Sequence, residues 1–371
     1  MLPGLCSGYG KHLLLVTGRS ALKHSGHLST LLDSFRVEGF NVVHVPIDRE
    51  PSPELIDRTV QVCRGRVVDA VVAIGGGSVL DAGKAVSAML MQRHPVERFI
   101  EGREGVMLHD GRKAPFIAVP TTSGTGSEVT NNAVISRVGP GGYKRSLRHQ
   151  AFVPDMAVID PELMTSAPPG LTAASGMDAC TQLLEAYLSP YGSPYTDAVA
   201  LSGLERFSRS FMSACSTGAG DPAVRADIAY AALMSGIALA NAGLGIVHGF
   251  ASSVGGFYDI PHGTLCATLL AESTRVNIEC LRRIDPSHPG LGKFSRAGEI
   301  LSGASAGNVE DGCGMLVAKL EEWQERLGFP LLREFGVREG ELDGIVAVTR
   351  SKSNAVALDE ASMRAILAAR L

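Results

Sequence analysis

Along the first 160 residues, short apolar runs rich in β-branched side chains alternate with stretches of helical periodicity. The runs are HLLLVTG at 12–18, NVVHVP at 41–46, VVDAVVAIGGG at 67–77, FIAVPTT at 116–122 and MAVIDP at 156–161. Strands separated by helices build βαβ units and hence a parallel sheet. Each run is apolar on both faces, which predicts strands placed centrally in the sheet under helices on both sides. After Asp160-Pro161 the pattern changes to long Ala- and Leu-rich segments at 171–189, 196–214, 223–242, 264–284 and 309–328, so the second half reads as all helix. The predicted fold is an α/β domain with a parallel sheet over 1–163, followed by an all-α domain over 164–371. Pro168-Pro169-Gly170 is the expected hinge, and the Gly-rich stretch from Leu244 to Gly263 is the expected bend between two helical segments. There is no internal repeat.

The third run leads straight into Gly75-Gly76-Gly77-Ser78 and then an amphipathic segment, VLDAGKAVSAML. Glycines at such a turn let the backbone approach a pyrophosphate, and N–H groups opening the helix from about Val79 would point at it. Ser78 and Asp81 have the S-x-x-D spacing of a capping box. This is not the GxGxxG fingerprint, and a GGGS turn alone is equally an ordinary tight corner. A second turn of the same type, PTTSGTGSEVT at 120–130, follows the next strand. Two such turns at the carboxyl ends of neighbouring parallel strands can grip one ligand from both sides, the place where open α/β sheets bind ligands.

Composition narrows the partners. With 371 residues, 45% hydrophobic and 19% charged, the chain can bury a large core. A net charge of -4 without a Lys/Arg run speaks against a nucleic acid or an anionic membrane surface as partner. Seven scattered cysteines without a CxxC pair suggest neither a disulfide framework nor a thiolate zinc site, and fit a reducing cytoplasm. The start lacks a signal-peptide pattern, and no stretch runs to about 18 uninterrupted apolar residues. The expectation is a soluble, cytoplasmic protein.

Both turns, together with SGMDACTQLLEAY (175–187) and GLGIVHGFASSVGGFYDIPHG (243–263), resemble the iron-containing alcohol dehydrogenase family, within the dehydroquinate synthase-like superfamily. The resemblance runs in order from about residue 10 to 280. It implies a dinucleotide-binding α/β domain, an all-helical second domain, a divalent metal (Fe2+ or Zn2+) in the cleft between them, a small alcohol or aldehyde substrate, and a homo-oligomer, a dimer. It places Gly76, Gly77, Ser78 and Asp81 in the pyrophosphate turn, Thr121, Thr122 and Thr125 near the phosphates and nicotinamide ribose, and Lys144, across a one-residue gap, near that same ribose. The implied metal ligands are Asp178, Gln182, His248 and His262, with Asp178, His248 and His262 also catalytic. The family further implies an N-terminal strand and Phe-Gly turn ahead of Gly10-Lys11; this chain starts too late to contain it, through truncation or remodelling.

Two positions depart from the family pattern. Gln182 stands where most members have His, and Ser252 where many have a second His four residues after the metal-binding one. Asp178 and Gln182, four apart on a predicted helix, share a face. One carboxylate, two imidazoles and a Gln carbonyl would leave room for a substrate oxygen and a net charge near +1 at the ion. An amide oxygen in place of an imidazole should lower affinity and raise tolerance for harder ions such as manganese or magnesium; alternatively, Gln182 only hydrogen-bonds a ligand or substrate. Ser252 cannot titrate near neutral pH, so a proton relay there would use its hydroxyl and water, with Tyr258 and Asp259 as alternatives by proximity.

For cofactor choice, family NAD users tend to carry Asp where this chain has Gly18. With Arg19 and Ser20 adjacent, the expectation is NADP(H) over NAD(H), although Arg19 also reads as a solvated surface charge. The expected reaction is metal-assisted hydride transfer between NAD(P)(H) and a small alcohol or aldehyde. Two alternatives stay open. One is a metal-independent reductase of an activated carbonyl of maleylacetate or phosphonoacetaldehyde type; the other is a nucleotide-binding protein that has lost turnover.

Overall fold

The computed structural model describes residues 1–19, 26–103, 105–139 and 142–371; Ser20 lies outside them. The chain forms two compact units, one of Met1–Thr122, Ser127–Arg137 and Lys144–Ser166, the other of Ser123–Gly126, Val138–Tyr143 and Ala167–Leu371.

In the first unit, strands β1 (His12–Gly18), β2 (Asn41–Ile47), β3 (Ala70–Gly75), β4 (Phe116–Pro120) and β7 (Met156–Ala157) form a parallel sheet in the order β2-β1-β3-β4-β7. The expected strands are all present, but not all are central. β2 is an edge strand whose residues are mostly half-buried, and β7 shrinks to two residues at the opposite edge. A continuous apolar run does not separate a central strand from an edge strand that is partly covered. A two-stranded sheet of β5 (Asn132–Arg137) and β6 (Tyr143–Arg148), rich in polar residues, was not foreseen. Ahead of β1 stands a short helix, α1 (Leu2–Cys6). Helices α2 (His27–Val37), α3 (Pro53–Cys63) and α4 (Gly77–Met89) supply the crossovers.

Strand order reverses between β1 and β3, the switch point at which such sheets bind ligands. On its other side β3 meets β4 with Gly75 opposite Pro120, and the Thr121 N–H donates to the Gly75 carbonyl at 2.9 Å. Both hydroxyl- and glycine-rich turns therefore leave the sheet side by side. Helix α4 comes unusually close to β3 because Gly83 has no side chain: a Cβ there would stand 2.6 Å from the Ala73 Cβ.

The second unit is helical: α5 (Pro169–Leu188), α6 (Pro194–Ala214), α7 (Pro222–Ala242), α8 (Ile246–Phe257), α9 (His262–Ile284), α10 (Pro289–Ser302), α11 (Val309–Arg326), α12 (Leu342–Val348) and α13 (Glu360–Ala369). Several open with Pro at the first helical position, where the missing N–H costs nothing. Pro168-Pro169-Gly170, expected as a hinge, is the start of α5. That helix is buried continuously from Gly176 to Tyr187, including the polar side chains of Asp178, Gln182 and Glu185. By length and composition α7 could cross a bilayer, but it packs against α5 and α6, and its Arg225 and Asp227 are bonded inside the unit. The Gly-rich stretch expected as a bend is itself helix α8. Its glycines serve close packing: a Cβ on Gly249 would lie 2.7 Å from the Arg350 carbonyl oxygen.

Candidate active site

The first turn is packed so tightly against its own chain that two of its positions favour glycine. A Cβ on Gly75 would fall 2.6 Å from the Val79 side chain, and one on Gly76 would fall 3.1 Å from Thr122 Oγ1. Helix α4 opens at Gly77, two residues earlier than expected. The Val79 and Leu80 N–H groups are already spent on the Gly76 carbonyl at 2.9 and 3.1 Å. The N–H groups of Gly77 and Ser78, which an α-helix leaves without an acceptor of its own, are the ones offered at the helix's positive end.

The capping box expected of Ser78 and Asp81 does not form. The N-cap is Gly76 and makes no side-chain cap bond. Asp81 points instead at the following segment, accepting from Ser127 Oγ at 2.5 Å and from the Val134 N–H at 3.0 Å. One turn on, the buried Lys84 ammonium faces Ser127 O (2.7 Å) and Oγ, Thr130 O and Oγ1 (both 2.9 Å) and Asn132 O (2.8 Å). Burial lowers Lys84 to about 8 against the pull of Asp81 and Glu128. Helix α4 thus ties down the chain that follows the second turn. Lys84 and Gly83 were overlooked in the sequence, although D-x-G-K puts them directly behind Asp81.

The other predicted cofactor residues have these places. Thr121 and Thr122 follow β4, half-buried, and Thr125 lies in the helical unit. Gly18 ends β1 with room around it, since a Cβ would meet only Val79 Cγ2 at 3.8 Å. Arg19 is exposed and paired with Asp48 at 3.0 Å. Lys144, on β6, is paired with Glu50, whose other oxygen accepts from Ser136 Oγ at 2.6 Å.

In the helical unit, Asp178 on α5, His248 in the first turn of α8 and His262 at the start of α9 converge. Asp178 Oδ1 lies 3.3 Å from His248 Nε2 and 3.5 Å from His262 Nε2. Asp178 is 2% exposed, yet among the described residues neither its Oδ1 nor His248 Nε2 has a hydrogen-bond partner. Buried polar atoms left so are costly unless something bridges them. Oxygen and two nitrogens at such spacings suit the edges of a coordination polyhedron around a divalent ion with bonds of about 2.0–2.2 Å. Gly263 permits the convergence: a Cβ there would strike the Ala174 carbonyl at 2.3 Å, so only glycine lets α9 start against the α5 backbone. Burial would raise the Asp178 carboxyl, but the His262 and His248 imidazoles and the Gln182 amide outweigh it and hold it below the ordinary value. Burial likewise disfavours charged His248, but Asp178 and Glu185 raise it to about 9. A cation would take the place of that proton.

Glu185 was not singled out in the sequence. Its Oε2 accepts from His248 Nδ1 at 2.7 Å and its Oε1 from the Val247 N–H at 2.7 Å. This fixes the His248 tautomer so that Nε2 faces Asp178, the arrangement that orients metal-binding imidazoles. The signal was its spacing: 178, 182 and 185 share one face of a helix. Cys266 was also overlooked. It lies one turn after His262 on α9, with Sγ 3.9 Å from His262 Nε2, and the ligand atoms of Asp178, His248, His262 and Cys266 all fall within 4.8 Å of one another.

Gln182 occupies the expected face, but its Oε1 accepts from Ser235 Oγ on α7 at 2.6 Å while its amide holds Asp178. The oxygen that would ligate a metal is thus turned to Ser235. Ser252 is exposed and donates to its own helix at His248 O, 3.0 Å away. Tyr258 is bonded to Glu341; burial and that carboxylate push its phenol up to about 12, which removes it as a proton relay near neutral pH.

A parallel-sheet unit with a backbone turn at its switch point and a helical unit with a buried carboxylate–imidazole cluster describe a class of oxidoreductases. Comparison with known proteins agrees: residues 1–161 match the family model for iron-containing alcohol dehydrogenase, and residues 172–371 that for the Fe-containing alcohol dehydrogenase family, C-terminal. The chain is 32% identical over 340 residues to NADPH-dependent butanol dehydrogenase of Clostridium saccharobutylicum, covering 90% of this chain and 82% of that protein. It is 31% identical to 1,3-propanediol dehydrogenase of Citrobacter freundii, covering 93% and 87%. A crystal structure of 1,3-propanediol oxidoreductase superposes with a TM-score of 0.88 at 29% identity, covering 100% of this chain and 95% of the other. The chain belongs to the iron-containing alcohol dehydrogenase family.

Proposed function

We propose that this oxidoreductase interconverts small alcohols and aldehydes with a divalent metal, Fe2+ or Zn2+, and a nicotinamide dinucleotide, using NADP(H) in preference to NAD(H). The carrying observation is the pair of buried atoms without hydrogen-bond partners among the described residues, Asp178 Oδ1 and His248 Nε2, with His262 Nε2 3.5 Å from the Asp178 oxygen. These three side chains suit a divalent ion, which when bound would polarise an alcohol or carbonyl oxygen as a Lewis acid. Glu185 holds His248 in the tautomer that offers Nε2, and Gln182 keeps the Asp178 carboxylate aimed and ionised. The N–H groups of Gly77 and Ser78 bind a pyrophosphate, and Thr122 Oγ1 stands close to the neighbouring Gly76. Gly18 places no carboxylate after β1 to repel a 2′-phosphate, and the similarity to an NADPH-dependent butanol dehydrogenase supports the same preference. We place the enzyme in the cytoplasm as a homo-oligomer, a dimer.

The test combines metal analysis of the purified chain with NADPH and NADH oxidation on a panel of short aldehydes. Retained metal, activity abolished by EDTA and faster turnover with NADPH are expected. Activity that survives complete metal removal would replace this reading with that of a metal-independent reductase.

A further inference from the structure

We propose that Cys266, not Gln182, supplies the fourth protein ligand of the metal site, so that the ion is held by Asp178, His248, His262 and a thiolate. The inference rests on the metal-dependent reading above and deepens it.

Geometry points to sulfur. Asp178 Oδ1 stands 3.3 Å from His248 Nε2 and 3.5 Å from His262 Nε2, and Cys266 Sγ stands 3.9 Å from His262 Nε2. Ligands about 2.0–2.3 Å from one tetrahedral ion are separated by roughly 3.3–3.8 Å along each edge. All three spacings lie within a few tenths of an ångström of that range. His262 and Cys266 are four apart in the opening turns of α9, so they present to one side and can chelate a single ion. Cys266 has no exposed surface, which keeps solvent from competing for the position.

Gln182 is committed elsewhere. Its Oε1 accepts from Ser235 Oγ at 2.6 Å, which directs the NH2 group at Asp178, and an amide N–H cannot ligate a cation. The loss of the family's imidazole at 182 is compensated from a different helix. Binding then releases the Cys266 proton to solvent, and two anionic ligands, Asp178 and Cys266, cancel the charge of a divalent ion. Sulfur selects zinc and iron over manganese and magnesium, the reverse of what a Gln carbonyl would favour.

The experiment loads the full chain with Co2+ and records its absorption spectrum, and loads it with Zn2+ for X-ray absorption at the zinc edge. The wild type should show an intense near-ultraviolet sulfur-to-cobalt charge-transfer band and one sulfur scatterer at about 2.3 Å from zinc. Cys266→Ser should lose the band entirely. Metal bound through nitrogen and oxygen alone, or a band that persists in Cys266→Ser, overturns the role of Cys266 and leaves the metal-dependent reading standing. A wild type that retains no metal overturns both. The zinc measurement uses the unaltered chain and decides the question even if the variant fails to fold.

Discussion

Glu185 accepts from His248 Nδ1 at 2.7 Å, two helical turns beyond Asp178 on the same helix. The imidazole is thereby oriented before any ion arrives. Glu185→Gln keeps a polar group of the same shape but removes the charge that fixes the tautomer. Metal affinity should fall about 10- to 100-fold, read by competition with a chromophoric chelator. Unchanged affinity would show that the bond is only structural.

Gly263 lets α9 begin against the backbone of α5. Gly263→Ala would put a Cβ 2.3 Å from the Ala174 carbonyl oxygen, and backbone cannot swing aside as a side chain can. The helices must part, at a cost of about 1–3 kcal/mol, and His262 moves away from Asp178. A lower Tm together with reduced metal retention is the expected outcome; a lower Tm with metal fully retained would contradict it.

Gly18 is not required by packing, because a Cβ would meet only a van der Waals neighbour at 3.8 Å. Gly18→Asp should therefore fold normally while placing a carboxylate after β1. The ratio of kcat/KM for NADPH over NADH should fall on the order of tenfold, ~1.4 kcal/mol. A ratio that does not move would remove Gly18 from the account of cofactor choice.

Glu128 gives a pH signature. Burial raises its carboxyl from 4.5 to about 6, opposed by its own backbone bond and Lys84 and reinforced by Asp81. Because the folded state holds this proton more tightly, the stability it contributes is full below pH 4.5 and is lost as pH rises through 6. Lys84 is lowered to about 8, so its contribution grows only between about pH 8 and 10.5, outside that window. In Glu128→Gln the low-pH term is absent. The Tm difference, wild type minus variant, should therefore shrink from pH 4.5 to 7 in thermal scans; a constant difference would refute the assignment.

How much was legible depended on whether local pattern carried the information. The strands and long helices were, because burial imposes period or continuity on their residues; the β2 edge position was not, since apolar cover and sheet neighbours leave the same trace. Asp178, His248 and His262 were identifiable from motif order, and the structure brings them together. The roles of Glu185 and Cys266 depend on which helix face meets which, a tertiary fact that spacing only permits. Asp81 shows the opposite failure: S-x-x-D promised a local cap, but a more distant partner, Ser127, took the carboxylate.

Lys84 and Asp81 bind the segment after the second turn to the helix that begins at the first. On the proposed reading a nucleotide docks there against walls already set in place, so little chain entropy is surrendered on binding. Its affinity should then be governed by fit, and calorimetry of cofactor binding should register a heat-capacity change far smaller than coupled folding would produce.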